Sequence, residues 1–102
     1  MNDFVEKRQQ LKLAYTAKMP SKKTNLQQQY EQLQQGIGDV ESFYADLHKL
    51  SGSAGMYGFE EISQSATKMM KAMQGVDHHD MSSNVEISEI FADLLAMMKN
   101  IE

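Results

Sequence analysis

The stretch from Asp39 to Phe59, DVESFYADLHKLSGSAGMYGF, sets a narrow limit on what this chain can fold into. At about 100° per residue, Val40, Phe43, Tyr44, Leu47, Leu50 and Ala54 fall on one face of a helix. That stripe is the one a bundle helix buries, so the pattern calls for partner helices. His48 lies roughly a quarter-turn off the centre of the stripe, a flank position with its ring base against apolar neighbours and its tip toward water. Gly52 and Gly55 follow at i+4 and i+7 on the same flank. Glycine inside a helix costs up to ~1 kcal/mol relative to alanine, so two of them beside one histidine need a reason. Either they clear the surface for another macromolecule to approach His48, or they let a neighbouring helix pack closely. The spacing leaves both readings open.

Four further helices are legible around this one. The first, over about 2–18, carries Phe4, Leu11, Ala14 and Tyr15 as a sparse stripe on a charged helix, with Asp3 near its N-terminus. Pro20 breaks the pattern and Ser21 is placed to cap the next helix, over about 21–35, where Leu26, Tyr30, Leu33 and, just past it, Ile37 keep phase. Its glutamine-rich faces, QQQYEQLQQ, read as solvated. Gly36-Ile37-Gly38 ends it and Asp39 caps the His48 helix, over about 39–54. A fourth helix, over about 59–74, turns Phe59, Ile62, Ala66, Met69, Met70 and Met73 inward. Glu60 and Glu61 at its start and Lys68 and Lys71 toward its end match the helix dipole. Ser83-Asn84-Val85-Glu86 reads as a capping box that opens a last helix, over about 83–101, with Ile87, Ile90, Phe91, Leu94, Met98 and Ile101 inward. Short connections imply antiparallel neighbours. The expectation is an all-α fold, an antiparallel four-helix up-down-up-down bundle with an additional N-terminal helix across one end.

A chain of 102 residues makes one domain, 1–102. Its net charge of −4 and pI near 5.3, with no dominant basic patch, argue against a nucleic-acid partner. The absence of cysteine removes disulfides and thiolate chemistry and suits a reducing compartment. No stretch approaches the ~20 apolar residues of a membrane span, and MNDFVEKRQQ has no signal-peptide core. A cytoplasmic protein without a membrane partner is expected. Most of the nine methionines fall at helical spacing and read as core filler rather than as a binding groove. Asp77, His78, His79 and Asp80 bear ligand atoms, but adjacent histidines point apart and no HxxxH or HExxH spacing is present. That segment reads as a solvated loop, and no metal is expected.

HKLSGSAGMYGF resembles the signature of histidine-containing phosphotransfer (HPt) domains, a histidine followed by a hydrophobic residue at +2 and glycines at +4, +7 and +10. Leu50, Gly52, Ser53, Ala54, Gly55, Gly58 and Phe59 match it. The helix lengths and the Leu-Pro-like junction at Met19-Pro20 resemble one branch of that family, so the resemblance spans essentially the whole chain. It implies a phosphoryl carrier in a two-component phosphorelay, with His48 as acceptor through Nε2. It also implies response-regulator receiver domains and a hybrid sensor kinase as partners, and Mg²⁺ brought by the receiver with no cofactor of the chain's own. A monomer is expected. Two positions depart from the family pattern. Many relatives carry a basic residue at +3 that steadies the phosphoryl oxygens. Here +3 is Ser51, directed toward the core; Lys49 at +1 is the nearest cation, ~100° away around the helix, and Lys68 and Lys71 are other candidates. At +22, where many relatives have Gln or Glu to hold the second imidazole nitrogen, this chain has Met70, which cannot hydrogen-bond that way. Thr67 and Gln74 on nearby turns, or water, are the candidates to replace it.

Imidazole as a side-chain type, with a reference pKa near ~6.5, suits reversible phosphoryl capture near neutral pH. The transfer needs in-line approach and charge neutralisation. The sequence holds no P-loop, no kinase signature and no acidic cluster beside His48, so it reads as a phosphotransfer intermediate and not as an enzyme. The alternative is a non-catalytic module that binds a receiver and blocks it without being phosphorylated. Acid–base or hydrolytic chemistry would need a paired carboxylate or triad that does not accompany His48.

Overall fold

The computed structural model describes residues 3–76 and 84–101, so Asp77, His78, His79, Asp80 and Ser83 lie outside the described residues. Among those described the chain is helical throughout and without strand: α1 (Asp3–Ala17), α2 (Met19–Gln34), α3 (Val40–Met56), α4 (Glu60–Gln74) and α5 (Val85–Lys99).

The stripes read from periodicity form one core. Phe43, Leu47, Leu50 and Ala54 of α3 meet Ile62, Ala66, Met69, Met70 and Met73 of α4 and Ile87, Ile90, Phe91, Leu94 and Met98 of α5. Helix α2 adds Met19, Leu26 and Tyr30. The Tyr30 ring lies 6.0 Å from that of Phe43 and 4.6 Å from that of Phe91. Its buried hydroxyl oxygen has no hydrogen-bond partner among the described residues.

Several local expectations are corrected. Ser21 does not cap α2, which begins at Met19; Lys18 stands at the cap position with no side-chain hydrogen bond. The chain stays helical through the junction, with Lys22 N donating to Lys18 O at 3.1 Å. Pro20 fits there because a first-turn residue needs no N–H. Of the described side chains of the α1 stripe, Tyr15 alone is seated, on Tyr57 (ring centroids 4.7 Å apart) and Phe59 (6.0 Å). Ala14 is exposed and Leu11 is 56% exposed, because most of α1 projects beyond its partners. The side chain of Phe4 lies outside the described ones. The described residues span 54 × 22 × 21 Å. Ile37 is also exposed rather than inward. Gly36, at φ 78°, turns the chain out of helical phase before it, and Ile37 N closes on Gln32 O at 2.9 Å. The cap of α5 falls one residue later than expected, at Asn84, whose side chain accepts from Ile87 N at 3.0 Å. Asp39 caps α3 as its sequence suggests, accepting from Glu41 N (3.0 Å) and Ser42 N (3.4 Å).

Candidate functional site

Helix α3 runs two residues past its expected end, to Met56, and carries Gly52 and Gly55 inside it. It stops in a Schellman arrangement: Phe59 N bonds Ala54 O at 2.8 Å and Gly58 N bonds Gly55 O at 3.2 Å. Gly58 has φ 86°, a left-handed conformation that side chains with a Cβ resist. This turn returns α4 antiparallel along α3, fixing which residues face each other.

Polar pairs mark the register of that seam. Near one end Gln74 Nε2 donates to Tyr44 Oη at 2.7 Å. Further along, Ser51 Oγ and Thr67 Oγ1 lie 2.7 Å apart, and Ser63 Oγ donates to Ser51 O at 2.7 Å. Rising numbers on α3 meet falling numbers on α4. His48 stands between the two pairs, one turn after Tyr44 and one before Ser51, with an exposed side chain. Met70 occupies the matching place on α4, between Thr67 and Gln74, and is 8% exposed within the core. Thr67 and Gln74, the polar residues expected near the ring, are bonded to Ser51 and Tyr44 instead.

The two open readings of the glycines separate here. A Cβ on Gly52 would meet nothing within 4 Å, so that position faces open space. A Cβ on Gly55 would come to 3.3 Å from Ser63 Oγ, so Gly55 admits the close approach of α4. One motif thus supplies three different services: a bare surface at Gly52, a tight seam at Gly55 and a turn at Gly58.

The candidate cations part company as well. Lys49 lines a groove between α2 and α3 with Lys22, Asn25 and Asp46. Asp46 there accepts from Asn25 (3.1 Å) and Gln29 (2.7 Å). Lys68 lines a groove between α4 and α5 with Glu61 and Asp93. Lys71 is exposed one position beyond Met70. Ser63 is the neighbour of Ser51 and Gly55 that sequence reading missed. Its signal was available: Ser63 and Thr67, four apart, put two hydroxyls on one side of α4.

Among the described residues no group of three or more His, Cys, Asp or Glu is placed to hold a metal ion, and no helix is long and apolar enough to cross a membrane. A family model described as Hpt domain matches residues 10–102. No curated protein and no solved structure matches the chain.

Proposed function

Because the chain belongs to the Hpt domain family, we propose that it is a phosphoryl carrier that accepts and donates the group on His48. Hpt domains serve histidine phosphotransfer in two-component signalling, as phosphocarriers rather than ATP-binding kinases. The observation that carries the assignment to His48 is the bare position at Gly52, one turn beyond an exposed imidazole, where an added Cβ would meet nothing within 4 Å among the described residues. The reaction partner is the aspartyl phosphate of a receiver domain, in a response regulator or a hybrid sensor kinase. The Nε2 lone pair attacks phosphorus in line, and the P–N bond forms as the P–O bond to the aspartate breaks. That electron pair returns to the carboxylate, the Nδ1 proton stays in place, and the product is a phosphoimidazolium. The receiver supplies the Mg²⁺ that offsets charge on the transferring group.

The same reading takes residues 1–102 as one domain in the cytoplasm and as a monomer. Helices α2–α5 make the antiparallel up-down-up-down bundle and α1 is the added N-terminal helix. The opposed Tyr44–Gln74 and Ser51–Thr67 pairs support it. Gly55 and the Ser51–Thr67 pair hold α3 on α4, and Met70 stands at the level of His48 in that register.

The test is incubation with a phosphorylated receiver followed by mapping of acid-labile, base-stable phosphate. Label on His48, lost in His48→Ala, is the expected result. Label on His78 or His79, or undiminished label in the variant, overturns the assignment. Receiver binding without any label makes the chain a blocking module.

A further inference from the structure

We propose that Lys71 is the cation that holds the phosphoryl oxygens on phosphorylated His48, an inference that rests on the carrier reading above. A phosphoryl group brings up to about two negative charges at neutral pH, and charge-assisted contacts to such oxygens are the strong ones. Ser51 brings no positive charge, and its hydroxyl is engaged with Thr67 at 2.7 Å.

Helical geometry sorts the lysines. Tyr44, Ser51 and Gly55 mark the side of α3 that meets α4, and His48 lies ~40° from their mean direction, turned away from buried Leu47, Leu50 and Ala54. On α4, Ser63, Thr67 and Gln74 mark the side that meets α3. Lys71 lies ~60° from their mean direction, turned away from buried Ile62, Ala66 and Met73. Both residues therefore border the solvent side of one seam. They also stand at one level, because Met70 matches His48 in the register and Lys71 follows it by ~1.5 Å of rise. Packed helix axes are ~8–10 Å apart, and the flexible four-carbon stem of lysine suits that span. Lys49 and Lys68 fail this test, since each lines a groove on a different side of its helix, beside Asp46 and beside Glu61 and Asp93 respectively. Lys71 exchanges no atom in the transfer. Its ammonium offsets charge on the phosphoryl group as it arrives and while it stays.

The experiment compares transfer from one phosphorylated receiver to the wild type and to Lys71→Ala, Lys71→Arg, Lys49→Ala and Lys68→Ala. The ³¹P resonance of each labelled protein is recorded alongside. Lys71→Ala should slow transfer at least ~10-fold and shift the phosphoimidazole resonance, with unchanged circular dichroism. Lys71→Arg should restore most of the rate, and Lys68→Ala should match the wild type. Native rate and resonance in Lys71→Ala, or a loss that follows Lys49→Ala instead, overturns the role of Lys71 while His48 remains the acceptor. A wild type that takes no label at His48 overturns both readings.

Discussion

The hydroxyl oxygens of Ser51 and Thr67 lie 2.7 Å apart across the α3–α4 seam, one turn beyond His48. Ser63 O lies 3.0 Å from Thr67 Oγ1 and 3.3 Å from Ser51 Oγ, so one hydroxyl donates to that carbonyl while the other donates to its partner. Ser63 Oγ then donates back to Ser51 O at 2.7 Å. The position three past the histidine is thereby committed to joining two helices. Ser51→Ala should lower stability by ~0.5–1.5 kcal/mol, the net contribution of one such bond. At roughly 4–8 °C per kcal/mol for a domain near this size, a thermal melt resolves it.

Gly52 and Gly55 should respond to alanine with opposite signs. At Gly52 the added methyl meets nothing within 4 Å, so the helix-propensity gain of up to ~1 kcal/mol is realised. At Gly55 it lies 3.3 Å from Ser63 Oγ, which cannot swing away without loosening its 2.7 Å bond to Ser51 O. Crowding of that kind costs ~1–3 kcal/mol and exceeds the gain. Melting temperatures of the two single variants, one raised and one lowered, are the expected outcome.

A larger side chain at the bare position probes docking. Gly52→Leu should keep the circular dichroism of the parent while transfer between His48 and a receiver falls at least ~10-fold, equivalent to ~1.4 kcal/mol at the barrier. Transfer at the native rate would mean the partner does not approach over Gly52.

Tyr30 carries a buried hydroxyl oxygen without a partner among the described residues. Burial pushes its pKa above 10.0, and nearby Ser88 draws it only partly back, without closing a hydrogen bond. Tyr30→Phe removes the unmet group and should raise stability by ~1 kcal/mol. Burial also raises Tyr15, against its bond to Ser53 and with help from Tyr57. Both phenols hold their protons more tightly folded than unfolded. Their contribution is therefore complete below about pH 10 and is lost as pH climbs through the higher folded values. Urea midpoints measured across that range should fall less steeply in Tyr30→Phe.

The core was legible because its signal is periodic: every inward residue expected in α3 from Phe43 to Ala54, bar half-buried Tyr44, is buried, and α4 and α5 follow suit except at half-buried Phe59 and Ile101. Helix starts were less legible. Ser21 and Ser83 have the right chemistry for caps, but Met19 already lies in helix and Asn84 takes the cap of α5. Local propensity names the residue types that suit a helix end, and packing chooses among neighbours. Helix α1 misled because a charged helix with few apolar residues can project from the fold and leave Leu11 and Leu13 in solvent. At the candidate site, spacing singled out His48 and its glycines, yet it could not tell the open glycine from the packed one. That distinction depends on Ser63, twelve residues from Ser51 and on another helix.

The outline of the described residues, 54 Å by 22 Å by 21 Å, reaches beyond stability into how the protein moves through a medium. A compact chain of about 100 residues has a radius of gyration near 13 Å, whereas this one has 14.8 Å. Its tumbling is anisotropic, slowest for end-over-end rotation of the long axis. On a gel-filtration column calibrated with spheres, a single copy elutes ahead of its 11.6 kDa mass. Elution volume alone therefore overstates the assembly, and light scattering is the method that counts its copies.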